Sequence, residues 1–210
     1  MDDTTHGQYF EPSPSVASRP RSVQLALPDL TIDLETDAGV FSADGIDAGT
    51  KFLLLDAPPP PTGATDLLDL GCGYGPIALT LANRAPGSHV WAIDVNERAV
   101  GLCTRNARVA GLDNVTAITA ASPATIPTDV RFDAIYSNPP IRIGKPALHE
   151  LLLGWLPRLR PGGHAYLVVQ KHLGSDSLAR WLVEQGWPTA RLASRAGYRL
   201  LDVTHESDGS

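Results

Sequence analysis

The chain has 210 residues, of which 43% are hydrophobic and 19% charged, and its formal net charge is −6. This composition suits one globular domain with a substantial core and excludes a disordered or fibrous chain. No apolar run is long enough to span a bilayer, and the opening Met1-Asp-Asp-Thr-Thr-His6 has neither the basic nor the apolar region of a secretory signal, so a cytoplasmic protein with no membrane partner is expected.

Residues 1–20 are polar and rich in Pro and Ser, and read as a flexible N-terminal arm that Tyr9 and Phe10 are placed to anchor. Residues 22–27 and 30–34 are apolar or alternating around Pro28-Asp29, the pattern of a β-hairpin. Residues 36–42 read as a loop with a buried centre, and residues 46–55 as a helix that stops before the proline run at 58–61. Residues 21–63 thus form an N-terminal hairpin and helix packed on a core that occupies residues 64–205.

From residue 64 the pattern alternates between short apolar strands and helices. Strands are predicted at 66–70, 89–93, 115–119, 132–137, 164–170, 190–193 and 198–203. Helices are predicted at 76–83, 97–110, 146–159 and 177–185, with Asn96 placed to cap the second and Pro161-Gly-Gly163 turning the chain after the third. Alternation of this kind predicts an α/β fold with a parallel sheet covered on both faces. The last two strands have no helix between them and must pair antiparallel.

The run Leu67-Leu-Asp-Leu-Gly-Cys-Gly-Tyr-Gly75 ends a strand and opens a helix. Its glycines permit a tight turn and close approach of a ligand to the backbone. A dinucleotide fingerprint would place its third glycine at position 76, which holds Pro76, a residue suited to the first turn of a helix. Asp69 would repel a pyrophosphate and attract an ammonium group. An NAD dehydrogenase is therefore disfavoured. Asp94 ends the next strand, about 20 residues on, where an acid accepts ribose hydroxyls.

Tyr136-Ser-Asn-Pro-Pro-Ile141 follows the strand expected beside the first, at the carboxyl edge of the sheet where ligands bind. The amino group of a base is a weak nucleophile, because its lone pair is delocalised into the ring. Two acceptors, the Asn138 side-chain oxygen and the Pro139 carbonyl, would orient such a nitrogen and favour its tetrahedral form. Pro139 and Pro140 stiffen the loop, and Ile141 would pack on the face of the base. A strand ending in a plain Pro-Pro turn is the bland alternative. Cys72 and Cys103 match no metal-ligand spacing and read as free or buried thiols in a reducing compartment. His6, His89, His149, His164, His172 and His205 are scattered, so no metal is expected.

These motifs, with residues 36–42, 47–50 and 94–99, Ser137 to Lys145, Lys171 and Gly197-Tyr198, resemble the class I S-adenosylmethionine-dependent methyltransferases. Within them the chain is similar to the bacterial ribosomal RNA guanine-N2 methyltransferases of the RsmC type, from about residue 8 to about residue 203. The resemblance implies a Rossmann-like seven-stranded sheet of order 3-2-1-4-5-7-6 with strand 7 antiparallel. It implies S-adenosyl-L-methionine as cofactor and RNA, ribosomal RNA or a ribosomal subunit, as partner. Asp69, Gly71, Cys72, Gly73, Asp94, Val95, Asn96, Ser122 and Asn138 would contact the cofactor, with Gly49 and Thr50 near its methionine end. Asn138, Pro139, Pro140 and Ile141 would act on the base, and Phe41, Arg142 and Lys145 would bind substrate. The longer members carry a further domain ahead of this one, and many have an acid or amide where this chain has Ser122-Pro123. The same chemistry on adenine N6, a glutamine amide or a small molecule, and a non-catalytic cofactor-binding module, stand as alternatives.

Overall fold

The computed structural model describes residues 16–120 and 122–206, so Tyr9 and Phe10 of the expected arm lie outside the described residues. The end of the arm is tied down. The Ser18 hydroxyl donates to Asp37 at 2.7 Å, the Arg19 N–H donates to the same carboxylate, and Arg98 donates to the Val16 carbonyl at 3.0 Å. The chain then makes an antiparallel hairpin, β1 (Arg21–Ala26) against β2 (Thr31–Thr36), whose alternation buries Leu25, Ile32 and Leu34.

Helix α1 (Ala48–Asp56) starts later than its apolar pattern predicts, because Asp47 caps it: the carboxylate accepts the Thr50 N–H at 3.0 Å. There follow β3 (Asp66–Leu70), α2 (Pro76–Arg84), β4 (His89–Asp94), α3 (Glu97–Val109), β5 (Val115–Thr119), β6 (Phe132–Ser137), α4 (Lys145–Trp155), β7 (Leu159–Gln170), α5 (Ser175–Glu184), β8 (Thr189–Arg195) and β9 (Tyr198–Thr204). Strands β3 to β9 form one sheet in the order β5-β4-β3-β6-β7-β9-β8. Counted from β3, this is the expected 3-2-1-4-5-7-6. Only β9 runs against its neighbours β7 and β8.

The central strands are apolar on both sides, and the pleat sorts their side chains between two cores. Leu67, Tyr136, Tyr166 and Val168 face the hairpin, α1, α2 and α3. Leu68, Leu70, Ile135, Leu167 and Val169 face α4 and α5, where Trp155 is fully buried.

Two segments depart from the expected pattern. The helix predicted to 159 ends at Trp155, and residues 156–158 tighten into a 3-10 turn at Pro157. Pro161-Gly-Gly163 does not separate helix from strand but lies inside β7 as a wide bulge. Phe132 faces Leu159 while Ala134 faces His164, so five steps of β7 match two of β6. A Cβ at Gly163 would sit 2.9 Å from the Arg160 carbonyl, which explains the glycine.

Buried Asn106 of α3 joins the hairpin to the glycine turn after β3. Its Oδ1 accepts the Glu35 N–H at 2.8 Å, and its Nδ2 donates to the carbonyls of Glu35 at 2.9 Å and Tyr74 at 2.8 Å. Asn106→Ala would strand these backbone groups at a cost of about 2–4 kcal/mol, lowering the melting temperature by roughly 5–15 °C. A thermal melt within two degrees of wild type would show that the hairpin docks without this contact.

Candidate active site

Strands β3, β4, β6 and β7 all end on one edge of the sheet, and a cleft of about 340 Å³ opens there. It lies where the strand order reverses about β3, the usual ligand position in a doubly wound sheet. The glycine turn forms its floor. Gly71, Gly73 and Gly75 have φ of 82°, 55° and 100°, the left-handed region that favours glycine. The turn is pinned to β4 by the Gly71 and Cys72 N–H groups, which donate to the Ile93 carbonyl at 2.8 and 2.9 Å. Gly75 and Pro76 then open α2.

Asp94 lines the cleft and braces the same turn. Its Oδ2 accepts the Gly73 N–H at 2.9 Å and its Oδ1 accepts the Asn96 N–H at 2.9 Å. Burial raises its pKa, against the pull of the Asn96, Gly73 and Val95 N–H groups. Asp69 lies fully buried beneath the floor, outside the set of lining residues. Its Oδ2 accepts the Ala78 N–H at 2.9 Å, while its Oδ1 has no hydrogen-bond partner among the described residues. Burial holds this carboxyl well above the ordinary carboxylate range, and the charge of Asp94 adds to the rise, against the Ala78 N–H.

An acid whose pKa is raised by folding binds its proton more tightly in the folded state. The stability it contributes is present below the unfolded pKa and is lost as pH rises through the folded value. Asp69→Asn should therefore gain on wild type as pH rises from acid to neutral, with Asp94 leaving a residual slope in the variant. Melting curves across that range check this, and parallel curves for the two proteins would refute it.

The loop after β2 forms one wall. The Tyr74 hydroxyl, on the glycine turn, donates to the Gly45 carbonyl at 3.1 Å and so holds residues 42–45 over the cleft. Phe41, in the same wall, is 42% exposed. Asn138, Pro139, Pro140, Ile141 and Arg142 form the opposite wall. The Ser137 hydroxyl donates to the Leu70 carbonyl at 2.6 Å and fixes the end of β6 against β3. Pro140 has φ −74° and ψ 69°, and the Ile141 N–H donates to the Pro139 carbonyl at 2.8 Å. This is an inverse γ-turn, and it leaves the Pro139 carbonyl a second lone pair.

The Asn138 Nδ2 donates to Asp47 Oδ2 at 2.8 Å and to Thr50 Oγ1 at 3.0 Å. A carboxylate only accepts, so the amide nitrogen must face Asp47. The carboxamide oxygen takes no hydrogen bond among the described residues and is not buried. Asp47 belongs to the 47–50 motif that carries the resemblance but has no role in the sequence reading, although it lines the cleft; Gln170, which also lines it, is not singled out there, and its amide donates to the Tyr198 hydroxyl at 2.7 Å.

Of the residues expected at a site, the structure brings together Phe41, Thr50, Gly71, Cys72, Gly73, Asp94, Val95 and Asn138 to Arg142. The others lie off the cleft lining. Gly49 packs against the Tyr198 ring, and a Cβ there would come within 2.6 Å of it. Asn96 caps α3 and donates to the Gly39 carbonyl at 2.8 Å. Ser122 is exposed and caps a 3-10 turn, and Lys145 is an exposed first residue of α4. Cys72 and Cys103 are buried free thiols; the Cys72 thiol donates to the Gly73 carbonyl at 3.4 Å, and the neighbouring Cys103 thiol together with burial raises the Cys72 pKa.

Asp44, Asp47 and Asp94 line the cleft with Arg142. Such a site suits a ligand carrying positive charge and disfavours a pyrophosphate. Fold and cleft together define a class I methyltransferase architecture. The profile of the methyltransferase small domain family matches residues 31–202, and the chain belongs to that family, whose methyl donor is S-adenosylmethionine. It is 33% identical over 193 residues to the uncharacterized protein YbxB of Bacillus subtilis, covering 92% of this chain and 96% of that one. It is 34% identical over 162 residues to ribosomal RNA small subunit methyltransferase C of Shewanella amazonensis, covering 75% of this chain but only 46% of that enzyme, so the chain spans about half the length of this relative. Among solved structures it is similar to the Thermus thermophilus 16S rRNA N2 G1207 methyltransferase RsmC in complex with AdoMet and guanosine. That match has a TM-score of 0.78 and 26% identity, and covers 92% of this chain and 52% of that one.

Proposed function

We propose that this chain methylates an exocyclic base amine of ribosomal RNA, the N2 of a guanine in 16S RNA, with S-adenosylmethionine as donor. The observation that carries the reading is the Asn138-Pro-Pro-Ile141 wall of an acidic cleft, where Asp47 and Thr50 hold the Asn138 amide nitrogen and leave its oxygen as an acceptor. When bound, S-adenosylmethionine supplies a methyl group activated by a sulfonium centre. The acidic lining of Asp44, Asp47 and Asp94 matches its cationic charge, and the Asp94 carboxylate matches its ribose hydroxyls.

The Asn138 oxygen accepts one N–H of the target amine and the Pro139 carbonyl accepts the other. Both bonds strengthen as the nitrogen turns tetrahedral, so they lower the barrier rather than merely holding the base. The methylated nitrogen is acidic enough to lose its proton without a dedicated base. Phe41 and Ile141, on opposite walls, offer apolar surface to the two faces of a flat ring. Arg142 at the cleft and Lys145 at the start of α4 supply cations for the neighbouring phosphates, offsetting the negative net charge.

The test is transfer of labelled methyl groups to 16S RNA transcribed in vitro, naked and assembled into small subunits, with ribosomal protein alone as a parallel arm. Label in the RNA is the expected result. Label confined to protein would move the reading to an amide nitrogen.

A further inference from the structure

An asparagine side chain has two ends of similar shape and opposite hydrogen-bonding character. An Asn138 free to turn over could present its NH2 group to the substrate. It would then repel an amine and welcome a lone pair on oxygen or on a ring nitrogen. The hydrogen bonds around it remove that freedom. Asp47 Oδ2 takes one Nδ2 hydrogen at 2.8 Å, Thr50 Oγ1 takes the other at 3.0 Å, and the nitrogen has no hydrogen left to offer. The reversed amide would set its oxygen against the Asp47 carboxylate, two acceptors with no hydrogen between them.

The same Asp47 oxygen accepts the Thr50 N–H at 3.0 Å as the cap of α1. One atom therefore caps α1, which precedes the sheet in the chain, and orients a side chain at the end of β6.

We propose that Asp47 is a positioning residue that fixes Asn138 as a pure hydrogen-bond acceptor, and so restricts this site to target atoms that carry two hydrogens. The inference rests on the reading of Asn138 as the group that meets the target. With Asn138 and the Pro139 carbonyl both accepting, an amine or primary amide nitrogen satisfies both. A hydroxyl satisfies one and turns lone pairs on the other, and an unprotonated ring nitrogen satisfies neither. Thr50 supports the lock from the next turn of the same helix.

The variants separate this role from the cap. Asp47→Ser keeps a capping hydroxyl for the Thr50 N–H but is too short to hold Asn138. Asp47→Asn keeps an acceptor for both. Thr50→Val removes the second acceptor while leaving the cap N–H in place. With S-adenosylmethionine and in-vitro-transcribed 16S RNA, Asp47→Ser should lose about 10–100-fold in turnover, by analogy with the outer-shell partners that orient metal ligands. Its melting temperature should stay near wild type, and its cofactor affinity should match that of Asp47→Asn, which loses the same charge. Asp47→Asn should recover most of the turnover, and Thr50→Val should lose less than Asp47→Ser.

The second readout needs no RNA. The side-chain amide pair of Asn138, identified in a nitrogen-15 spectrum of the full chain by its disappearance in Asn138→Ala, should be shifted and slow to exchange in wild type. In Asp47→Ser and Thr50→Val it should move toward the positions of exposed amides. An amide pair indifferent to both substitutions, or wild-type turnover in Asp47→Ser, would overturn the assignment. If wild type itself methylates no RNA, the proposed function falls and the amide spectrum alone decides the role of Asp47.

Discussion

Asn138→Ala should fold, bind S-adenosylmethionine with near wild-type affinity, and lose roughly 10²–10³ in turnover, by analogy with removal of one donor from an oxyanion hole. The side chain sits where β6 leaves the sheet, its nitrogen committed to Asp47 and Thr50 and its oxygen left for the target. Little of the fold depends on it. Asp47 keeps the Thr50 N–H when the amide is gone, and the end of β6 stays fixed through Ser137. The stability cost should be about 1–2 kcal/mol, because water entering the cleft replaces most of the two lost hydrogen bonds, one to a carboxylate and one to a hydroxyl. Single-turnover kinetics and a melting curve on one preparation separate catalysis from folding. Near wild-type turnover with a lowered melting temperature would make Asn138 a structural residue.

Asp94→Ala should weaken S-adenosylmethionine binding by about 1.5–3 kcal/mol, roughly 10- to 150-fold in Kd. The carboxylate oxygens accept the Gly73 and Asn96 N–H groups, and the residue lines the cleft. The substitution therefore removes the ribose acceptor and also releases the glycine turn that forms the floor. Titration calorimetry measures the change directly, and an unaltered Kd would remove Asp94 from the cofactor site. Because the released turn contributes to the loss, Asp94→Asn, which keeps one acceptor for the backbone, should fall between the two.

Much of the fold is legible in the sequence because the central strands are buried on both faces and read as short apolar runs. Strands β3, β5 and β6 match their predicted limits. The limits slip where local chemistry overrides periodicity. Asp47 delays α1 by capping it, Pro157 ends α4 early although apolar residues continue, and Pro161-Gly-Gly163 is absorbed into β7 as a bulge because strand pairing resumes beyond it.

The site divides in the same way. The glycine turn, Asp94 and the Asn138 loop are contiguous motifs at strand ends, and the topology gathers them. Asp47 is noted in the 47–50 motif, but its link to Asn138 is not legible, because the two are 91 residues apart and no local pattern joins them. Its one local signal, an aspartate ahead of the first turn of a helix, reads as a cap and nothing more. Asn96 shows the converse. The cap is legible, and by accepting the Arg98 and Ala99 N–H groups while donating to Gly39, the side chain turns from the cleft to the helix end and the neighbouring loop.

The proposed reaction is tested most directly by nucleoside mass spectrometry of 16S RNA transcribed in vitro, incubated as naked RNA or small subunits with S-adenosylmethionine and the protein. The wild-type protein should produce N2-methylguanosine at one position, and Asn138→Ala should produce almost none under the same conditions. A methyl group found on ring nitrogen, carbon or ribose oxygen, or equal product from both proteins, would contradict amine methylation by the Asn138 loop.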